Sequence, residues 1–294
     1  MLFDLRSPGR RNVIRVVYAL LAVLMGGGLI FFGIGGNVSG GLFDAFDSGA
    51  GGSGGNPFED QINEAEDRLQ LNPQDVATLG ELVQLHYQAG QSQIEVDQDT
   101  GAQSLTEDGE QQLQQAADAW DRYLKASQKM GQPPANSVSL VAVNTFAILG
   151  DASLSQAVAA SSGTEALEDA SDALTSWSDA AEAQRFATDA QPAAQAYAKL
   201  AFFLYRSGDG QAGDQAAARA RELANPNEKS AIDQSLNQLK KQGELLTTQI
   251  AKLEKQEQQA QQVTGGAGGA SGSNPLSGLG GGGLSGGGTG LSGQ

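Results

Sequence analysis

The chain holds one histidine, His86, and no cysteine. A lone imidazole without thiolates cannot build a Cys- or His-rich metal centre, a cysteine nucleophile or a disulfide framework. His86 also lacks a serine or cysteine partner for general-base work, and reads as a residue packed between two helices. Carboxylates gather at Glu95, Asp97 and Asp99, a chemistry suited to calcium. Counting from Asp97, however, the sixth and twelfth positions hold Ala102 and Asp108, where a calcium loop of the EF-hand type needs Gly and Glu. They read as solvated loop acids. Gly208-Asp-Gly210-Gln-Ala-Gly213 fits the dinucleotide pattern G-x-G-x-x-G, but the helical run AFFLYR precedes it instead of a strand, which makes it a helix–helix turn. The two G-x-S-x-G matches, around Ser53 and Ser285, lie in glycine-rich stretches and not at a strand-to-helix turn. Trp120 and Trp177 read as inter-helix core. No catalytic constellation remains, so the sequence predicts a non-enzymatic protein with no cofactor and no metal.

What would position such residues is set by Val16 to Gly36, 21 residues without a charge. At ~1.5 Å per helical residue this segment is ~31 Å long, enough to cross the hydrocarbon core of a bilayer. A cleaved secretory signal would have a shorter apolar run and a small-x-small cleavage site, which the following GGNVSGGLFDAF does not offer. Arg6, Arg10, Arg11 and Arg15 precede the span, and Asp44 and Asp47 are the first charges after it. The positive-inside rule then leaves residues 1–15 as a cytoplasmic basic stub and sends residues 37–294 across the membrane. Ala22 and Gly26 form a small-x-x-x-small pair within the span, compatible with helix packing in the bilayer.

Beyond residue 36 the chain carries 14 basic and 33 acidic residues. Such a surface repels nucleic acid and anionic headgroups and favours basic partners. Aromatics make up only 6% of the chain while alanine is abundant, so close-packed helices fit better than a large β core. Residues 37–55 read as a Gly/Ser linker and residues 263–294 as a disordered glycine-rich tail.

The anchor has a pattern of its own: Leu5-Arg6, further basic residues, Asn12 to Val17 reading N-V-I-R-V-V, the span, then Gly33 to Asn37. It resembles the anchors of bacterial membrane-tethered periplasmic foldases and of the tetratricopeptide proteins that accompany them at the Sec translocon. No peptidyl-prolyl isomerase domain follows, so the resemblance implies a location near exported chains and not foldase activity.

Residues 56–226 read as helices punctuated by glycine. Asn56-Pro57 opens the first, in which Ile62, Ala65 and Leu69 recur at helical spacing. The next runs to Gly90, and the insertion QSQIEVDQDTGAQSLTEDG separates it from EQQLQQAADAWDRYLKASQKMG. Pro73, Leu79, Leu82, Val83, His86 and Gly90 resemble the first helix of a tetratricopeptide repeat, with Ala116, Trp120 and Tyr123 on the second. The theme returns in residues 137–150 with 164–190, and in QPAAQAYAKLAFFLYRSGDG with AGDQAAARARELANP. Gly90, Gly150 and Gly208 read as the stops, 60 and 58 residues apart.

Residues 227–262 form one long last helix with Ile232, Leu236, Leu239, Leu246, Ile250 and Leu253 at alternating four-three spacing and Gly243 in the gap. A cap on the array is preferred to a coiled-coil dimer, because glycine weakens a short zipper.

The expected architecture is therefore all-α: one N-terminal transmembrane helix, then a tetratricopeptide-like array of antiparallel helical hairpins. The expected function is binding, as a membrane-tethered scaffold or co-chaperone on the extracytoplasmic side of a bacterial cytoplasmic membrane. Its partner would be a protein or peptide, and the anchor resemblance points to the Sec translocon or exported chains. Counting back from the stop glycines, Gln84, Tyr87, Asn144, Gln195, Phe202 and Tyr205 would line the binding groove. The alternative is a structural spacer that self-assembles into homo-oligomers through its last helix.

Overall fold

A computed structural model describes residues 58–96 and 103–264. The expected stub, span, linker and tail lie outside these residues, as do Asn56, Pro57, Asp97 and Asp99. The described residues form eight helices and one two-stranded sheet: α1 Glu59–Leu71, α2 Val76–Gln91, β1 Ile94–Val96, β2 Gln103–Leu105, α3 Glu107–Lys129, α4 Asn136–Ala159, α5 Gly163–Ala190, α6 Ala194–Arg206, α7 Gly210–Leu223 and α8 Pro226–Thr264. The all-α expectation holds.

Side-chain caps mark four of the eight helix starts. Asp75 caps α2 by accepting from Ala77 N at 3.1 Å, and Thr78 Oγ1 donates to its other oxygen at 2.9 Å. Thr106, Ser162 and Asp209 cap α3, α5 and α7 in the same way, each through its side-chain oxygen. Glu165 reaches back from the first turn of α5 to accept from Ser161 N at 3.2 Å, satisfying one more amide ahead of the helix. Gly208 supplies the turn from α6 to α7 with φ +88°, a left-handed conformation that glycine adopts without steric cost. The G-x-G-x-x-G match is thus a helix–helix turn.

The helices pack in sequence. Contacts join each helix to the next, the closest-knit pair being α4 with α5, and further contacts join α2 to α4 and α6 to α8. Composition explains the intimacy of α4 and α5. Among the buried residues of α5, Ala166, Ala170, Ala173, Trp177, Ala180, Gln184 and Ala187 form an alternating four-three stripe in which all but two are alanine. Small residues contribute little burial each but let two backbones approach. On α4 the buried bulk is Val138, Val143, Phe146 and Leu149, of which Leu149 packs with Tyr87, Leu113 and Ala116 of α2 and α3 and Val138 lies near Gly80 of α2.

Two sequence expectations change here. The insertion after α2 is not wholly a loop: Ile94, Glu95 and Val96 pair antiparallel with Leu105, Ser104 and Gln103. Its apolar–polar–apolar alternation is a strand signal that the search for helices passed over. Gly150 is also not a stop, since α4 continues through it to Ala159. A Cβ at Gly150 would lie 2.5 Å from Trp177 Nε1, so glycine is there to admit the indole.

The last helix settles against its own chain. Ile232, Leu236, Leu239, Leu246, Ile250 and Leu253 are all buried, and α8 contacts α5, α6 and α7. Gly243 fills the gap in their spacing because α8 crosses the Tyr205 backbone there, closer than any Cβ would permit. The seam that could have zipped to a second chain is used within the first.

One helix among the described residues, α4, is long and apolar enough to cross a membrane by length and composition. Within the fold it packs against α2, α3 and α5.

Candidate functional site

Helices α2, α4 and α6 share a face that a chain of polar contacts crosses. At its centre is Asn144 of α4, half-buried. Its amide hydrogen-bonds the Tyr87 hydroxyl on α2, and its Oδ1 accepts from Lys199 Nζ on α6 at 3.4 Å. Gln91 Nε2 also donates to the Tyr87 hydroxyl, at 2.7 Å. Burial raises the Tyr87 phenol above its ordinary range, and these two donors partly offset that rise by favouring the phenolate. Burial acts oppositely on Lys199 and brings its ammonium down to about 8.

Two turns further along, Arg206 of α6 reaches Asp151 of α4 at 2.8 Å. Its guanidinium lies 4.0 Å from the centre of the Trp177 ring and 5.2 Å from that of Phe202. The Arg206 side chain is only 12% exposed, so this cation–π contact is largely shielded from water and belongs to the stronger class of such interactions. Apolar patches sit beside the polar line: Val141 and Ile148 are half-buried against a cluster of Tyr87, Leu113, Ala116 and Leu149, and Leu140 is exposed. The face thus offers half-buried apolar surface, amide and hydroxyl groups, and two cations, with no nucleophile–base pair on it.

The residues expected to line a groove divide. Gln84, Tyr87 and Asn144 stand on α2 and α4, and the structure brings Tyr87 and Asn144 into contact. Gln195 is exposed on α6, and Phe202 is half-buried there with its ring edge-to-face against Phe203 at 4.9 Å. Tyr205 is turned elsewhere. It is 4% exposed, packs its ring on Gly213 of α7, and donates to Asp214 Oδ1 at 2.9 Å. Asp214 also holds Lys240 of α8 at 2.7 Å. Tyr205 is a core residue that ties α6 to α7.

The reason is a slip of register. Gly90 receives Leu113 from α3 and Gly150 receives Trp177 from α5. In the next pair the roles are exchanged, with the large residue, Tyr205, on α6 and the glycine, Gly213, on α7. Tyr205, not Gly208, is the counterpart of Gly90 and Gly150. Counting from it aligns Lys199 with Gln84 and Asn144, and Phe202 with Tyr87. Lys199 was therefore missed; Arg206 aligns with Gln91 and Asp151, which the expected groove did not include either, although Gln195, Lys199, Phe202 and Arg206 recur at four-three-four spacing on a single side of α6.

His86 occupies the place expected for it. It is buried between α2 and α3, with Nδ1 donating to Gln112 Oε1 at 2.9 Å. Trp120 and Trp177 are likewise core, at 3% and 0% exposure.

Set against protein-family models, curated proteins and solved structures, the chain gives no significant match.

Proposed function

We propose that this chain is a membrane-tethered scaffold or co-chaperone that holds a protein or peptide partner on the face shared by α2, α4 and α6. The observation that carries this reading is the contact line Tyr87–Asn144–Lys199, which runs over three helices beside half-buried Val141, Ile148 and Phe202. Polar groups fixed to one another next to apolar surface suit an extended ligand that needs both orientation and burial.

In this proposal the array is tetratricopeptide-like. Supporting it are the order of contacts, in which α2, α4, α6 and α8 alternate with α3, α5 and α7, and the repeated close approach of one large residue to one small partner in each pair. The membrane tether rests on the charge-free run from Val16 to Gly36 and the arginines before it. An extracytoplasmic address near the Sec translocon, in a bacterial cytoplasmic membrane, rests on the anchor resemblance.

The experiment is photocrosslinking in intact cells, with a photoreactive residue replacing Gln84, Phe202 or, as the inward-facing control, Tyr205. The expected result is adducts with translocon subunits or exported chains from positions 84 and 202 and few from 205. Equal adducts from all three, or adducts with the protein's own copies alone, would remove this reading.

A further inference from the structure

The net charge of the chain hides a difference between the two edges of the helical array. Glu66 pairs with Arg122, Trp120 meets Phe186, and Gln184 reaches the Ala196 carbonyl. The finishing ends of α1, α3 and α5 and the start of α6 therefore share one edge. At the other edge, the first turns of α1, α3 and α5 hold Glu59, Asp60, Glu107, Asp108, Glu110 and Glu165. The finishing edge is unlike it. The last turns of α1, α3 and α7 carry Arg68, Lys129 and Arg221, and the first turns of α2, α4 and α6 carry no acid. At ~1.5 Å per residue, α1 and α3 hold the edges ~20 and ~35 Å apart, beyond the ~8 Å screening length at physiological salt. Each edge acts on its surroundings with its own charge.

Cations at the finishing edge are available. Lys125, Lys129, Arg185 and Lys229 are exposed and form no ion pair among the described residues. Carboxylates there are mostly occupied: Asp75 and Glu228 take capping hydrogen bonds, and Glu222 and Asp233 hold Arg219 and Arg221. Large apolar side chains protrude between them. Leu71 closes α1, Met130 caps α3 and Leu223 closes α7, at 89%, 59% and 38% exposure. They stand on three separate turns. A fluid interface can envelop each one singly while neighbouring lysines reach its headgroups, whereas a folded partner would need one continuous patch. The chain also has the reach: residues 37–57, between the expected span and Phe58, extend up to ~70 Å, against ~20 Å for α1.

We propose that this edge rests on an anionic bilayer, with Leu71, Met130 and Leu223 entering the headgroup layer and Lys125, Lys129, Arg185 and Lys229 meeting lipid phosphates. It rests on the membrane address proposed above for proximity, and does not involve the docking face.

The chain has no cysteine, so one introduced thiol takes a single label. Full-length Met130→Cys, carrying an environment-sensitive fluorophore, is reconstituted into phosphatidylcholine liposomes with or without phosphatidylglycerol, and with or without doxyl-labelled lipid. Ser155→Cys, exposed near the far end of α4, is the control. Quenching of the label at position 130 is expected to be about twofold or more greater in anionic than in neutral liposomes, as expected where anionic headgroups attract lysines. The label at 155 is expected to stay unquenched in both. Adding Lys125→Ser/Lys129→Ser should lower the quenching at 130 to its neutral-liposome value, while Lys252→Ser/Lys255→Ser on α8 leaves it unchanged. All six positions are exposed, so the variants keep the fold. No quenching at 130 in anionic liposomes, equal quenching at 130 and 155, or equal loss in the two lysine variants would overturn the proposal. A label at 130 that responds to soluble polyglutamate and not to lipid would overturn it too, and give the edge to an acidic polypeptide. Flotation with neutral liposomes reads the tether separately: a chain that floats without quenching at 130 in anionic liposomes keeps the tether and loses the edge. One that floats with anionic liposomes alone, quenched at 130, loses the tether and keeps the edge.

Discussion

The pairs α4/α5 and α6/α7 solve one problem with the parts exchanged. Both bring two helices into close contact by seating an aromatic ring on a glycine. In α4/α5 the glycine, Gly150, is on the first helix and the ring, Trp177, on the second. In α6/α7 the ring, Tyr205, comes first and the glycine, Gly213, second. The ring edges also differ in what they meet: the Tyr205 hydroxyl donates to Asp214, whereas the Trp177 face carries the Arg206 guanidinium. What recurs along the chain is the fit of a large residue to a small one. Which helix supplies which is free to change.

The largest effects should come from closing these seats. Gly150→Ala gains helix propensity of up to ~1 kcal/mol but drives a methyl into the indole, and overpacking of this kind costs about 1–3 kcal/mol. Gly243→Ala should cost more, because its methyl meets the Tyr205 backbone and not a ring edge. Chemical denaturation of both, with and without Trp177→Leu and Tyr205→Leu respectively, sharpens the comparison. The penalty at Gly150 is expected to shrink when Trp177 is trimmed, and the penalty at Gly243 to persist when Tyr205 is. Equal rescue in both would mean that the α8 crossing depends on side chains after all.

Two ionisable groups on the same pairs should respond to pH with opposite sign. Lys199 of α6 is held by burial at about 8, below the ~10.4 of an unfolded lysine. The unfolded chain therefore binds more protons between about pH 8 and 10.4, and stability should rise with pH through that window. Lys199→Met should remove the slope and stabilise the protein at pH 7 by about 1–2 kcal/mol, a figure reduced for the partial exposure of the group. Thermal melts at pH 7 and 9.5 read both effects, and an unchanged slope in the variant would reassign it.

Asp179 of α5 behaves in reverse. Burial first, and then the neighbouring Asp121 and Glu182, push its carboxyl up to about 6. The folded state holds the extra proton between about pH 4 and 6, so stability should rise as pH falls through that interval. Asp179→Asn should flatten this rise and stabilise at pH 7 by no more than about 1 kcal/mol, since solvent screens a half-exposed site. If the variant melts lower than the parent at pH 7, the carboxylate is making a favourable contact that outweighs its acidic neighbours.

The helices were legible because alanine, leucine and capping residues repeat at helical spacing with few conflicts, as the bounds of α2 and α5 show. The all-α class followed from that pattern and from the scarcity of aromatics. Legibility ended where glycine carries two meanings. Gly208 ends a helix through its backbone angle, while Gly90, Gly150 and Gly243 lie inside helices where a neighbour comes close. Sequence spacing cannot separate a turn from a seat, because both demand the absence of a side chain. Treating Gly208 as the equal of Gly90 and Gly150 shifted α6 by three residues, which brought Tyr205 into the expected groove and left Lys199 out. Tyr87 and Asn144 escaped the error because α2 and α4 both carry the seat glycine on the same helix of the pair.

The apolar character of α4 bears on how the protein is made. A helix with the length and hydropathy to enter lipid must find its neighbours before a bilayer takes it. Residues 160–162 alone separate α4 from α5, so the helix that shields it most follows directly from the ribosome. Asn144 and Asp151 also carry polar groups along its length, each of which raises the cost of dwelling in hydrocarbon. On the membrane address proposed above, the short α4–α5 connection would act as a safeguard of topology, limiting the time during which a core helix can be mistaken for an anchor.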